Sequence, residues 1–146
     1  MIRDRGLKLN VVCQVLGYPA LFWREPCKSH TQYNNWYIHG EKEILDVDQM
    51  YMRDEKDYEN PYLCPLKAKD LSKLPPAYFM LAERDYFCSE SEVYCEKLKE
   101  NGVNAVCKIY PAEHGFLGPP NPEQKKALKE LMDYLITRLE ETKGIN

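Results

Sequence analysis

The chain has 146 residues, the size of one domain, and a formal net charge of −3 from 20 Lys and Arg against 23 Asp and Glu. This charge argues against nucleic acid as the main partner, because binding to a phosphate backbone requires a basic face. The longest apolar run is far shorter than the roughly 20 residues of a membrane span, so we expect a folded domain that does not cross a membrane.

The first predicted strand is Asn10–Tyr18, which is apolar on both of its alternating faces. A strand of this kind usually has neighbours on both sides, yet only two further strands are predicted. Three strands make a narrow parallel sheet, and a long apolar edge strand is an aggregation hazard that native folds cover. The sequence therefore looks like the second half of a larger sheet.

A long segment, residues 28–74, separates the first strand from the second and is rich in Tyr, Asn, Asp and Lys. Within it, residues 41–57 could form a short helix. Insertions between strands often shape the substrate site of α/β folds. The composition is equally typical of a solvated surface excursion, so both interpretations stay open.

The rest of the chain alternates strands and helices. Ala77–Ala82 and Val106–Tyr110 are the two further predicted strands. The helix between them is predicted to begin at an S-x-x-E capping box formed by Ser89 and Glu92. The last helix is predicted to begin at Asn121. This order of strand, helix, strand and helix predicts right-handed crossovers and an α/β fold with a parallel sheet.

Cysteine spacing and the N-terminal residues bear on cofactors and location. The six cysteines include no C-x-x-C pair, which argues against a zinc site. We expect free thiols, no metal and no organic cofactor.

The N-terminal residues are charged, with neither an apolar core region nor a small-residue cleavage site, so the sequence predicts no signal peptide. A cytoplasmic location is the default expectation.

Two polar side chains follow the ends of the second and third predicted strands. Asp85 comes just after the second strand and His114 just after the third, 29 residues later. Because the carboxyl ends of neighbouring parallel strands lie at one edge of the sheet, we expect the two side chains to meet. A carboxylate beside an imidazole fixes its tautomer and supports general-base work. A chance co-location of two loop residues is the competing interpretation.

Several motifs also occur in a fixed order along the chain. They are Gln14–Ala20, Asn60-Pro61-Tyr62, Leu74–Ala77, Ala82–Asp85 and His114-Gly115-Phe116. In order and spacing they resemble the C-terminal half of the hormone-sensitive-lipase-like esterases, which have the α/β-hydrolase fold. The resemblance covers nearly the whole chain. It implies an incomplete α/β-hydrolase fold, with about three parallel strands and flanking helices, formed by a partial domain over residues 1–146.

The resemblance also implies roles for the two polar residues. In that family they complete a Ser-Asp-His triad, so Asp85 would be the orienting carboxylate and His114 the general base and acid. Phe87 and Ser89-Glu90 stand where the family usually has Leu and Asp-Glu, which is a mild departure. The larger departure concerns the G-x-S-x-G nucleophile elbow and the H-G-G-G oxyanion loop, which should precede Asn10–Tyr18. Neither motif is in the sequence.

The serines in the sequence do not supply the nucleophile elbow, and the two other histidines are weaker functional candidates than His114. None of the serines has the flanking glycines of a nucleophile elbow: Ser29, Ser72, Ser89 and Ser91. The two other histidines, His30 and His39, follow no strand and have no ligand spacing around them. We expect both histidines to be surface or packing residues.

The leading functional hypothesis is therefore the C-terminal portion of a serine carboxylic-ester hydrolase. Its substrate would be a small-molecule ester, and the chain alone is expected to be inactive, because a nucleophile and an oxyanion hole are both needed. The sheet would be completed by an N-terminal half or a second chain. Two alternatives stay open: a non-catalytic ligand-binding or interaction protein derived from a hydrolase, and a fragment of a prolyl-oligopeptidase-type serine peptidase.

Overall fold

The computed structural model describes residues 2–21, 24–33 and 50–143. The strands are β1 (Gln14–Gly17), β2 (Ala77–Arg84) and β3 (Ala105–Glu113). The α-helices treated below are α1 (Lys28–Gln32), α2 (Cys88–Glu100) and α3 (Pro122–Lys143), and two 3₁₀ helices span Glu55–Glu59 and Pro65–Lys67. The predicted order of strand, helix, strand and helix is confirmed from β2 onward.

The three strands form one parallel sheet in the order β1-β2-β3. Gln14 of β1 and Ala105 of β3 both align with Ala77, the first residue of β2. The parallel sheet is therefore as predicted, and the structure has the architecture of an incomplete α/β-hydrolase fold. β2 is the central strand, and its residues are buried from Ala77 to Ala82.

The observed strands differ from the predicted ones at the start of β1 and at the ends of β2 and β3. β1 begins only at Gln14, because β2 is preceded by Pro75-Pro76, and prolines have no N–H to donate to a ladder. The backbone N–H and side-chain amide of Gln14 instead donate to the carbonyl groups of Pro76 and Pro75, at 2.8 and 3.0 Å. β2 and β3 extend past their predicted ends, to Arg84 and Glu113.

The sheet is covered on both faces. The side chains of β2 alternate between the two faces, as strand geometry requires. Phe79 and Leu81 join a core cluster with α2 residues such as Leu98. Tyr78 and Met80 join a second cluster that contains Ala127 of α3. Helices on both faces explain why β2 is apolar from Ala77 to Ala82.

The two long helices begin differently from one another. Asn121 accepts a hydrogen bond from the backbone N–H of Gln124 at 2.7 Å, so the predicted start of α3 is confirmed. The capping box predicted for α2 is wrong, because α2 begins at Cys88, after a Phe87 N-cap that makes no side-chain cap. Ser89 is instead engaged with another segment and accepts a hydrogen bond from the backbone N–H of Ser29 at 3.1 Å.

The segment between β1 and β2 is only partly described. It contains α1 and the two 3₁₀ helices, and its residues 34–49 lie outside the described ranges. The predicted helix over residues 41–57 falls largely on those residues, although Glu55–Glu59 forms one of the 3₁₀ helices. His39 also lies outside the described residues.

Two apolar surfaces are exposed. On α3 a stripe of side chains is 44–56% exposed, and its members, called the α3 stripe below, are Leu128, Met132, Ile136 and Leu139. On β1, Val15 is 40% exposed. Among the described residues β1 pairs with β2 alone, so its other edge is unpaired there. No helix in the described parts of the chain has the length and apolar character that crossing a membrane requires.

Candidate active site

Asp85 and His114 meet at the carboxyl edge of the sheet. Asp85 directly follows β2, and His114 directly follows β3. The imidazole Nδ1 of His114 lies 2.8 Å from the carboxylate Oδ2 of Asp85. The juxtaposition expected from the two strand ends is therefore present in the structure.

Both oxygens of the Asp85 carboxylate are occupied. Oδ1 accepts a hydrogen bond from the backbone N–H of Phe87 at 3.0 Å, while Oδ2 faces His114. The side chain of Asp85 is 1% exposed. A buried carboxylate held in this way fixes the direction of the imidazole ring. It also favours the tautomer with the proton on Nδ1, in which Nε2 carries the lone pair.

Aromatic rings flank the imidazole. The ring of Tyr18 lies 4.4 Å from that of His114, and the ring of Phe87 lies 5.6 Å from it in an edge-on contact. Tyr18 follows β1 directly, and its backbone N–H donates to Met80 at 2.8 Å. Sequence reasoning missed Tyr18, although the same strand-end rule that identified Asp85 and His114 applies to the residue after the first strand.

The loop that carries His114 has a specific backbone shape. β3 reaches it through an irregularity, since Ala82 pairs with Tyr110 whereas Arg84 pairs with Glu113. Two residues of β3 thus oppose one of β2, as in a β-bulge, and one of them is proline. Gly115 then turns the chain at φ +83°, a conformation that favours glycine.

The start of α3 anchors the same loop. The side-chain amide of Asn121 donates to the carbonyl groups of Phe116 and Pro119, at 2.7 and 2.8 Å. The side-chain amide of Gln124 donates to the carbonyl of Leu117 at 2.8 Å. A Cβ on Gly17, at the end of β1, would come within 2.9 Å of the Leu117 side chain. The loop is therefore held against both β1 and α3.

An open cleft of about 460 Å³ lies beside His114. Phe116 and Pro111 contribute apolar walls, and Arg84 and Glu113, paired at 3.7 Å, contribute charge. The lining of the cleft is mixed, with more polar than apolar surface, and the cleft lies open to solvent next to the imidazole–carboxylate pair.

Other nucleophilic side chains near the turn that follows Asp85 are either hydrogen-bonded or unreactive. The hydroxyl of Ser29 donates to the carbonyl of Tyr86 at 2.6 Å, and that of Ser91 donates to Pro19 at 3.2 Å. Burial, with a smaller contribution from nearby carboxylates, raises the pKa of the Cys88 thiol to about 12. Cys88 is therefore a neutral thiol at physiological pH.

The remaining candidates of the sequence analysis do not contact the imidazole–carboxylate pair directly in the described structure. His30 is mostly buried, and its ring stacks on that of Tyr86, which follows Asp85, at 4.3 Å. The six cysteines are free thiols. Within residues 2–21, 24–33 and 50–143, no group of three or more His, Cys, Asp or Glu side chains is arranged to hold a metal ion.

Known proteins similar to this chain are esterases. One relative, named arylesterase, is from Saccharolobus solfataricus; it is 35% identical over 127 residues, which cover 86% of this chain and 41% of the relative. Another, named acetyl esterase, is from Salmonella typhi and is 26% identical over 119 residues, or 80% of this chain and 36% of the relative. The chain therefore spans less than half the length of these relatives.

Solved structures of esterases share the fold. An esterase from Pyrobaculum calidifontis superposes with a TM-score of 0.81 at 34% identity, covering 89% of this chain and 44% of that one. A fungal esterase from Rhizomucor miehei superposes with a TM-score of 0.87 at 30% identity, covering 95% and 45%. Residues 1–118 match the family described as having the alpha/beta hydrolase fold. The chain belongs to this α/β-hydrolase family, and the esterase resemblance that its motifs predicted is confirmed.

Proposed function

We propose that this chain supplies the acid–base pair of a serine carboxylic-ester hydrolase. Asp85 orients the imidazole, and His114 acts as general base and then as general acid. The observation that carries the proposal is the 2.8 Å contact between His114 Nδ1 and Asp85 Oδ2 at adjoining strand ends. The esterase names of the relatives support an ester as substrate.

The chemistry follows from the orientation of His114. With the proton on Nδ1, Nε2 removes the proton of a serine hydroxyl as that oxygen attacks the carbonyl carbon of the ester. The imidazolium then gives this proton to the alcohol oxygen, which leaves an acyl-serine. In the second half, Nε2 takes a proton from water, whose oxygen attacks the acyl carbon. The returned proton regenerates the serine as the carboxylic acid departs.

In this proposal the serine and the oxyanion donors come from a segment outside residues 1–146. We propose that this segment pairs with the unpaired edge of β1 and covers the α3 stripe, whether it is an N-terminal half of the same chain or a second polypeptide. Exposed apolar surface on both elements supports this partner, because soluble domains bury contiguous apolar patches in contacts.

The substrate site is proposed to include the cleft beside His114 and part of the segment 28–74, which precedes the strand that carries Asp85. The cleft volume suits a small-molecule ester. The free thiols support the cytoplasmic location proposed for this chain, since disulfides are rare in the reducing cytosol.

A hybrid enzyme tests the proposal. The part of the Saccharolobus solfataricus arylesterase that matches this chain is replaced by residues 1–146, and hydrolysis of p-nitrophenyl acetate is measured. We expect an active hybrid in which His114→Ala or Asp85→Asn lowers kcat on the order of 10⁴-fold. Asp133→Asn, which removes an exposed carboxylate of α3, is the matched control and should leave the rate unchanged. Residues 1–146 alone should not hydrolyse the ester.

Two results would contradict this function. An active hybrid that keeps its rate in His114→Ala would exclude the general-base role. Robust hydrolysis by residues 1–146 alone would show that no outside nucleophile is needed. The one observation that favours a non-catalytic binding protein is the lack of a G-x-S-x-G motif in the sequence. Saturable ligand binding by the chain alone, with an inactive hybrid, would support that second function.

A further inference from the structure

A second imidazole–carboxylate contact lies next to the turn that carries Asp85. Glu90, in the first turn of α2, is 1% exposed, and its Oε1 accepts a hydrogen bond from the backbone N–H of Leu21 at 2.6 Å. Its Oε2 lies 3.5 Å from Nε2 of His30, which is within ion-pair distance but without the geometry of a hydrogen bond. Burying a carboxylate is costly unless partners compensate for its lost hydration, so this contact calls for an explanation.

Serine hydroxyls fasten α1 to the same turn. The hydroxyl of Ser29 donates to the carbonyl of Tyr86 at 2.6 Å and accepts from the backbone N–H of Ser89 at 3.0 Å. The hydroxyl of Ser89 in turn accepts from the backbone N–H of Ser29 at 3.1 Å. α1 and the residues just after Asp85 are therefore joined by three hydrogen bonds in addition to the contact between His30 and Glu90.

A continuous series of ring contacts leads from His30 to His114. The His30 ring stacks on Tyr86 at 4.3 Å with the planes 10° apart. Tyr86 contacts Phe87 edge-on at 5.4 Å, and Phe87 contacts His114 edge-on at 5.6 Å. The backbone N–H of Phe87 also holds Oδ1 of Asp85. Displacing Tyr86 or Phe87 would therefore disturb both partners of the Asp85–His114 contact.

We propose that His30 and Glu90 are positioning residues, which lock the turn Asp85–Phe87 and through it hold the Asp85–His114 hydrogen bond in place. Glu90 contacts the Nε2 edge of the His30 ring, and the face of that ring stacks on Tyr86. The value of this positioning for catalysis rests on the proposed function of His114. The positioning itself concerns only the geometry of the chain.

The hydrogen bond can be observed directly by NMR of ¹⁵N-labelled protein of residues 1–146. The chain has three histidines, and a proton on His114 Nδ1 that is hydrogen-bonded to a buried carboxylate exchanges slowly with water. His30→Phe keeps a ring against Tyr86 but removes Nε2. Glu90→Gln keeps an oxygen for Leu21 but removes the charge. Each variant should speed exchange of the His114 Nδ1 proton by about tenfold or more, because local opening sets this rate.

Two controls separate positioning from general loss of stability. Glu92→Gln removes an exposed carboxylate from the same helix, and Val103→Ala destabilises the core just before β3, at the end of the sheet opposite Asp85 and His114. Both should keep the exchange rate of the parent chain. The double variant His30→Phe/Glu90→Gln should exchange no faster than the faster single variant, because both changes break one contact.

The proposal is overturned if both single variants fold and keep the parent exchange rate, or if they accelerate it no more than Val103→Ala does. His30→Phe preserves the shape of the stack, so it serves as the deciding variant where Glu90→Gln does not fold. A hybrid esterase that loses activity in His114→Ala, while His30→Phe keeps the parent exchange rate, would reject the positioning role and leave the proposed function standing.

Discussion

At the scale of single residues, backbone conformation shapes the His114 loop. Gly115 has φ +83°, and a Cβ built there would meet no atom within 4 Å. Replacing this glycine therefore introduces backbone strain without a steric clash. Gly102, which follows α2, has φ +76° and equally open surroundings. Gly115 directly follows His114, whereas Gly102 lies before β3.

We therefore expect Gly115→Ala and Gly102→Ala to lower the free energy of unfolding by similar amounts, about 1–2 kcal/mol, which is the cost of the left-handed region for an L-residue. Urea unfolding measures this cost. Only Gly115→Ala should also change the His114 Nδ1 proton resonance, since Gly115 sets the direction of the loop. Unchanged stability in Gly115→Ala would show that the turn relaxes without strain.

The sequence predicted the positions of single residues where these depend only on the rule that neighbouring parallel strands end at the same edge of the sheet. Asp85 and His114 follow adjacent parallel strands, so their meeting needs only the strand order. The same rule applies to Tyr18, which follows β1 and contacts His114, although sequence reasoning did not use it there. The contact of His30 with Tyr86 was not predictable, because it depends on how α1 packs against the turn after β2. The capping box failed for the same reason, since the hydroxyl of Ser89 is used by Ser29, 60 residues away.

At the scale of elements, α3 does more than cover the sheet. Its N-cap residue Asn121 accepts a hydrogen bond from the backbone N–H of Gln124 and donates to two carbonyl groups of the loop that carries His114. One side chain thus begins the helix and fixes the loop. Strand and helix types were predictable from apolar periodicity, whereas the start of β1 was set by the prolines that precede β2.

Asn121→Ala should lower the free energy of unfolding by about 1–2 kcal/mol, because the helix loses its cap and the loop loses its anchor. Asn104→Ala is the control, since Asn104 is exposed and serves the sheet through its backbone carbonyl, which accepts from Ala77. Thermal unfolding followed by circular dichroism measures both variants. Equal melting temperatures for the two variants would contradict the dual role of Asn121.

At the scale of the whole molecule, only the central strand of the described sheet is complete, and both outer strands, β1 and β3, have one unpaired edge among the described residues. β2 is buried on both faces and paired on both edges, whereas β1 has one paired edge among the described residues. At 3.6 residues per turn the α3 stripe is rotated by about 100–180° from Ala127, the buried residue of α3, so it forms a second apolar face directed away from the sheet. A second apolar face on a helix that already covers the sheet is a surface that a further layer of the same fold would cover.

The α3 stripe should therefore make residues 1–146 associate when they are alone. We expect Met132→Gln/Ile136→Gln to shift the chain towards monomer and to lower binding of an apolar dye, because the two side chains are 56% and 50% exposed and contribute apolar area to the patch. Sedimentation velocity measures the association. Lys129→Gln/Thr137→Gln changes two exposed positions of the same helix outside the stripe and should leave the association unchanged. In the arylesterase hybrid the same Met132→Gln/Ile136→Gln change should lower the melting temperature if, as proposed, the upstream half covers the stripe there. A hybrid that melts at the parent temperature, together with unchanged association of the chain alone, would show that this face stays in water in the complete fold.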